Sequence, residues 1–188
     1  MSALLAVSNL VARGVERLAL WAGALFLVLT FVILFDVVTR KFGYQLPGFG
    51  STRLQELEWH LHAAIFSFWL GFAYVRNAHV RIDVATARLA PRAHAWLELA
   101  GCLLFALPYC LIALVYSIDY AWISFVYNEA SESASGLPWR FVPKSIIAFG
   151  LLLLLAAVLS VVLRLVVFLF GPESLRAASA YAGAKADR

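Results

Sequence analysis

The sequence predicts an all-α integral membrane protein with four transmembrane helices. Of its 188 residues, 63% are hydrophobic and only 14% are charged, whereas soluble domains average about 25% charged residues. The apolar residues form long blocks instead of a single stripe on each helix or strand, which is typical of segments surrounded by lipid. The composition therefore excludes a water-soluble domain.

Four blocks are close to the roughly 20 residues that a helix needs to cross about 30 Å of hydrocarbon. Within the second block, Thr52 followed by Gln55 predicts a capping box at the start of the helix. Within the third, Pro108 predicts a kink. The four predicted spans are Leu18–Val38, Glu56–Val75, Trp96–Ile118 and Pro143–Phe170.

The distribution of Lys and Arg predicts the orientation of these spans. The net charge is +4, and the basic residues stand beside the apolar blocks, a pattern that fits membrane orientation and not nucleic-acid binding. The positive-inside rule places both termini in the cytoplasm. Ten of the fifteen basic residues then share that side: Arg13, Arg17, Arg76, Arg81, Arg88, Arg92, Arg164, Arg176, Lys185 and Arg188.

Two segments outside the spans have the pattern of short interfacial helices. Near the N-terminus, apolar residues recur at helical spacing. In the loop after the second span, Asp83 is placed to cap a helix over Val84–Leu89 that ends at Pro91. Ordinary structured loops are the alternative in both places. The apolar positions of the predicted N-terminal helix are Leu4, Val7, Val11 and Val15.

For the chain as a whole, we expect one four-helix domain over residues 1–172 and a flexible cytoplasmic tail over 173–188.

Charged residues at the ends of the spans are the main candidates for specific contacts, because charge inside a membrane is costly. Asp36 and Arg40 are four residues apart on one helix and can pair. They lie near the level of Glu56 and Glu58 at the start of the second span. We expect a structural polar cluster that ties the first two spans together, with a functional ion site as the alternative. Arg164 is close enough to the cytoplasmic end to extend to lipid phosphates.

Neither the histidines nor the cysteines form a recognisable site. His60 and His62 are about 200° apart around their helix, so both cannot face one ligand, and we interpret them as interfacial polar residues. Cys102 and Cys110 are separated by about 12 Å along a helix, too far for a disulfide. The sequence contains no nucleophile with an adjacent base and no metal-ligand spacing. We therefore expect no enzyme activity, cofactor or metal.

The loop between the third and fourth spans contains Glu129 and Glu132, followed by Gly136-Leu137-Pro138-Trp139 and Arg140. Two carboxylates three residues apart in a loop are a weak metal signal. A turn that returns the chain to the membrane, with Trp139 at the interface, is the simpler interpretation.

Several segments, taken in order, match a known pattern. The second span contains Glu58-Trp59 and ends in Leu70-Gly71-Phe72-Ala73-Tyr74. The loop that follows the second span contains Arg76, His79, Arg81, Asp83, Pro91 and Arg92. Asp36 and Arg40 stand at the end of the first span, and the segment from Glu129 to Arg140 precedes Lys144. Over roughly residues 18 to 170, the chain resembles the small, DctQ-like permease subunit of the tripartite ATP-independent periplasmic (TRAP) carboxylate transporters.

The resemblance implies a supporting role in the bacterial inner membrane. In that family a large, DctM-like permease subunit holds the substrate and sodium sites, and a periplasmic binding protein delivers the carboxylate, such as a 2-oxo acid or a dicarboxylate. The small subunit packs beside the large one, among membrane lipids. On this basis we expect Glu129, Glu132 and Arg140 to form a periplasmic docking face, and small residues such as Gly71 to allow close packing against the partner.

Two other classes of protein stay open from the sequence. A membrane anchor of a respiratory enzyme would bind haem or quinone through His60 or His62. A self-sufficient small transporter or channel would have to oligomerise, because the chain has no internal repeat and no charge near the middle of a span.

Overall fold

The structure is a computed structural model that describes residues 1–44, 48, 50–79, 86, 89–176 and 178–179. Four long helices make up most of this part of the chain. They are α1 (Ser2–Lys41), α2 (Ser51–Val75), α3 (Pro91–Val126) and α4 (Phe141–Phe170), followed by the single-turn α5 (Glu173–Arg176). The described residues contain no strand.

Helix α4 is the centre of the bundle and contacts each of the other long helices. Helices α1 and α2 pack on each other and on α4, whereas α3 packs chiefly on α4. The hydrophobic core lies between the last two, where small and branched side chains interdigitate. Its buried members are Ala95, Leu99, Cys102 and Cys110 of α3 and Val158, Leu165 and Leu169 of α4.

The N-terminal segment is part of α1 and not a separate interfacial helix as predicted. A 40-residue helix is about 60 Å long, well beyond the hydrocarbon thickness. Most of its buried face is also one position away from the predicted stripe: Leu5, Ser8 and Ala12 are buried, while Val7 is exposed. The fourth predicted position, Val15, is buried as expected. Local periodicity detects a helix here but cannot reveal that the helix is continuous with the span or that it packs on protein.

Helix α3 contains a π-helical turn just before Pro108, where the sequence predicts a kink. Residues Cys102–Ala106 form a π-helical turn, after which the Leu107 N–H bonds to the Cys102 carbonyl. A proline lacks the N–H and crowds the preceding turn, and a wide turn accommodates both effects. Both cysteines are buried thiols that form no disulfide, and the Cys102 sulfur lies 3.2 Å from the Tyr74 hydroxyl.

Three of the described helices, α1, α3 and α4, are long and apolar enough to cross a membrane. Helix α2 does not meet that standard, because its first half contains two glutamates and two histidines. Its start also differs from the prediction. Gly50 is the N-cap and no side chain caps the helix, so the capping box at Thr52 and Gln55 is wrong; Gln55 donates instead to the Ser51 hydroxyl.

Helices α2 and α4 approach each other closely at two glycines. A Cβ atom on Gly150 would lie 2.6 Å from the Ser67 Cβ and 2.7 Å from the Ser67 carbonyl oxygen. One turn further on, a Cβ on Gly71 would lie 2.9 Å from the Leu153 carbonyl oxygen. Gly71 therefore packs within this chain and not, as expected, against a partner. Small residues at these positions let the two backbones meet.

We predict that Gly150→Ala destabilises the bundle by about 1–3 kcal/mol, because the new methyl group would overlap the Ser67 backbone. Thermal unfolding in detergent measures the effect. Gly14→Ala is the matched control, since a Cβ there meets nothing within 4 Å and alanine favours the helix. Equal melting temperatures for the two variants would contradict the close contact.

Candidate functional site

The charged side chains that the structure describes lie toward the two ends of the bundle. We call the end that carries the α3–α4 connector, residues 127–140, the connector end. We call the opposite end, where the start of α1 meets the end of α4, the termini end. The predicted site residues fall at both ends.

At the connector end, Asp36 joins α1 to the start of α2. Its carboxylate is only 1% exposed; it pairs with Arg40 at 2.9 Å and accepts a hydrogen bond from the Ser51 hydroxyl at 3.0 Å. Glu58 is near enough to both Asp36 and Arg40 to interact with their charges. One carboxylate thus holds two helices, and a fully buried aspartate needs such partners.

Glu56 does not belong to this group, contrary to the prediction of a single cluster. Residues 56 and 58 are about 200° apart around a helix, so Glu56 faces the connector instead. Its carboxylate accepts hydrogen bonds from the Ser131 hydroxyl and, at 2.6 Å, from the Leu137 N–H. Arg140 lies 3.7 Å away. The carboxylate therefore serves as the internal partner of the connector.

The connector is folded against α2 by further hydrogen bonds. Ser131 N–H donates to the Leu137 carbonyl at 3.1 Å and Arg140 N–H donates to the Glu129 carbonyl at 2.9 Å, so the connector closes on itself. Arg53 of α2 donates to the carbonyl of Gly136 at 3.3 Å. The role of Arg53 was not predicted, because nothing in its local sequence identifies a partner more than eighty residues away.

Of the three residues expected to form a docking face, two have internal partners. Glu129 pairs with Lys144, whose ammonium also lies 3.8 Å from the centre of the Tyr120 ring. The hydrogen bond from Lys144 lowers the pKa of Glu129 below its usual value. Arg140 lies beside Glu56, and Glu132 is exposed.

At the termini end, two residues of the loop motif bond to the bundle. Arg76 pairs with Glu16 of α1 at 2.9 Å, and Arg92 donates to the Leu169 carbonyl at 3.3 Å. His79 lies against the Tyr74 ring, and Pro91 begins α3. Arg81 and Asp83, and the helix predicted over Val84–Leu89, lie outside the described residues apart from Thr86 and Leu89.

A buried polar contact between α1 and α4 was not predicted. The Ser8 hydroxyl donates to the Ser160 carbonyl at 2.9 Å, and both serines are buried. Arg164 donates to the Ser8 hydroxyl at 3.0 Å and to the Asn9 side-chain oxygen at 2.7 Å. Arg164 thus bonds to α1, whereas its position in the sequence favours lipid phosphates. Serines on apolar helices gave no signal of this pairing.

The histidines in α2 lie on different faces of the helix. His60 is half-buried and His62 is exposed, with its ring edge-on to Phe66. Within the described ranges, no three His, Cys, Asp or Glu side chains come together in a way that could hold a metal ion. A cavity of about 720 Å³ lies beside the π-helical turn, lined by Tyr74, His94, Glu98, Cys102 and Tyr109 among others.

We predict that Glu56→Ala releases the connector, because the Leu137 N–H then loses its acceptor at a cost of about 1–3 kcal/mol. Hydrogen exchange at the Leu137 amide should become faster by about tenfold or more. Glu132→Ala, on the exposed side of the same connector, is the control and should change little. Unchanged exchange in the Glu56 variant would mean that the carboxylate does not hold the connector.

Comparison with known proteins identifies the family. The model of the family described as "Tripartite ATP-independent periplasmic transporters, DctQ component" matches residues 29–168. No curated protein matches the chain, and no solved structure does. The matched range runs from the middle of α1 to the end of α4 and includes Asp36, Glu56 and the whole connector. The chain therefore belongs to the DctQ family, the small membrane component of TRAP transporters.

Proposed function

We propose that this chain supports a large permease subunit and a periplasmic binding protein in the secondary active, sodium-coupled uptake of a carboxylate. The observation that carries this proposal is where the charged side chains lie and what they bond to. The charged side chains with described contacts lie near the ends of the bundle and bond to other parts of the chain. Internal contacts of this kind keep the small subunit rigid, as a supporting role requires. A substrate pathway, by contrast, needs polar groups near the middle of the membrane.

The uncharged runs of the four helices support the same division of labour. Each helix has a stretch without Asp, Glu, Lys or Arg: residues 18–35, 59–75, 99–118 and 145–163. Along these runs a carboxylate meets no positively charged side chain, and a sodium ion meets no negatively charged one. The substrate and ion sites therefore belong to the partner.

We also propose that α2 crosses the membrane, giving four spans. Its two ends bond to α1 at Asp36 and at Glu16. These positions are twenty residues apart, about 30 Å along a helix, which is the thickness of the hydrocarbon core. The packing of α1 and α4 along its sides would supply the stabilisation that its own hydropathy lacks.

In the proposed orientation both termini and the loop after α2 lie in the cytoplasm of a bacterium, and the connector lies in the periplasm. The bias of basic residues toward the termini end supports this orientation. Glu129, Glu132 and Arg140 would then lie on the periplasmic side, and Glu132 is the exposed member that can meet the binding protein.

Single-cysteine labelling tests the topology. With a membrane-impermeant maleimide on intact cells, we expect Ala134→Cys to react, and Ala78→Cys to react only after permeabilisation. Both positions are exposed, and the native cysteines are buried. The reverse pattern would mean that the chain is inverted. Phe42→Cys, also at an exposed position and before α2, should react on intact cells like Ala134→Cys; reaction only after permeabilisation would mean that α2 does not cross the membrane.

Affinity purification from native membranes in mild detergent, followed by mass spectrometry, tests the function. We expect one large, many-span polypeptide at close to equal amount. Vesicles that contain both should take up a labelled carboxylate only when the binding protein and a sodium gradient are present. Recovery of redox subunits with visible haem absorption, or uptake by this chain alone, would contradict the proposal.

A further inference from the structure

The cavity beside the π-helical turn extends along α3 from the polar start of the helix into its apolar middle. Its volume of about 720 Å³ lies within the roughly 300–1,000 Å³ of pockets that hold small molecules. The residues of α3 that line it run from His94 to Tyr109, which is about 22 Å along a helix. One leaflet of a bilayer with its headgroups has the same thickness, half of roughly 40–45 Å. The cavity therefore has the length of one lipid molecule in a membrane.

The lining changes from polar to apolar along this length. His94 and Glu98 precede the uncharged run of α3, residues 99–118, and both side chains are half-buried. Within that run the lining is chiefly apolar and includes Leu104 and Phe105. A ligand that fills the cavity must therefore be amphipathic, with its polar group near the start of α3 and its apolar part beside the middle of the helix.

The cavity is open on the outward side of α3 and closed toward α2. Helix α3 is long and apolar enough to cross a membrane, and on its outward side Leu104 is 68% exposed and Phe105 74%. On the inner side the Tyr74 hydroxyl of α2 lies 3.2 Å from the sulfur of Cys102, which is buried. A molecule of the bilayer can thus enter the cavity sideways, without leaving the membrane.

The π-helical turn of α3 forms much of the cavity wall. Four of its five residues, all except Leu103, line the cavity. Turns of this kind inside α-helices are frequently found at functional sites. A ligand site beside the turn gives it a role besides the accommodation of Pro108.

The charge of the lining selects the headgroup of the ligand. Among the described residues that line the cavity, Glu98 is the one acidic residue, and none is Lys or Arg. A carboxylate accepts several hydrogen bonds and attracts a cation. His94 is one turn before Glu98 on the same face of the helix, and a ring N–H of its imidazole can donate to an anion. A headgroup that contains both an ammonium and a phosphate matches this pair.

We propose that this cavity binds a phospholipid with an amine headgroup, phosphatidylethanolamine, whose ammonium bonds to Glu98 and whose acyl chain lies beside the π-helical turn. A lipid with an anionic headgroup would bring its negative charge to the same carboxylate, and a neutral amphiphile such as a quinone would gain no attraction from it. This inference goes beyond the proposed function, because it requires neither the large permease subunit nor the transported substrate.

Lipid titration followed by native mass spectrometry tests the headgroup. Phosphatidylethanolamine and phosphatidylglycerol with identical acyl chains are added separately to the purified full-length chain in mild detergent. We expect one phosphatidylethanolamine to bind about tenfold more tightly than phosphatidylglycerol, the low end for a hydrogen bond to a charged group. Equal affinity for the two lipids, or tighter binding of phosphatidylglycerol, would overturn the assigned headgroup.

Two variants test the carboxylate and the cavity separately. Glu98→Gln keeps the size of the side chain but removes its charge, so it should weaken binding of phosphatidylethanolamine about tenfold and should not weaken binding of phosphatidylglycerol. Gly101→Phe should abolish the tight binding, because Gly101 lines the cavity and a Cβ there meets nothing within 4 Å. The ring can therefore occupy the space of the lipid without displacing the helix.

Each variant has a matched control that should bind the lipid like the wild type. Glu132→Gln removes an exposed carboxylate at the connector end, and Gly14→Phe adds a ring on α1 where a Cβ also meets nothing within 4 Å. Full affinity for phosphatidylethanolamine in Glu98→Gln would mean that the carboxylate does not bind the headgroup. Equal binding by Gly101→Phe and Gly14→Phe would place the lipid elsewhere on the protein. Either result would overturn the proposal.

Discussion

The close packing of α2 against α4 is the contact on which the remaining structure depends. Where Gly150 meets Ser67 and Gly71 meets Leu153, the two backbones approach without side chains between them. This contact holds the least apolar long helix against the most central one, so the polar first half of α2 is fixed next to protein. From there Glu56 and Arg53 hold the connector, and Ser51 meets Asp36. Without this packing, none of those side chains would have a fixed position.

Two kinds of interaction with different physical origins hold the bundle together. Van der Waals packing between α3 and α4 forms the core around Leu99 and Leu165, and this non-directional contact is one source of stability. Hydrogen bonds and ion pairs at the ends, from Asp36 to Arg164, set which helices are neighbours and in what register. In a membrane the first kind of interaction discriminates poorly between protein and lipid, so the second kind is needed to specify one arrangement.

The sequence predicts α4 well and α1 poorly, for a clear physical reason. The fourth span is expected from Pro143 to Phe170 and the helix runs from Phe141 to Phe170, because a long apolar block with charges at its ends defines its own limits. For α1, the amphipathic segment before the span continues the same helix, and no local signal distinguishes continuation from a break. The contacts of the polar side chains also divide into those that the sequence predicts and those that it does not. The pairing of Asp36 with Arg40 follows from a spacing of four, whereas the contacts of Glu56 and Ser8 join residues far apart in sequence, which only the packed helices bring together.

The π-helical turn before Pro108 has a consequence for the register of α3. A turn of this kind holds about one residue more than an α-turn, and each residue of an α-helix advances by about 100°. In an uninterrupted α-helix Cys102 and Cys110 would therefore point about 80° apart, yet both are buried in the same core. The wide turn absorbs that offset and keeps a single inward face along 36 residues. A helical wheel drawn through residue 104 therefore misplaces half of the helix. A helix with the same inward face but without the wide turn would be one residue shorter at this point.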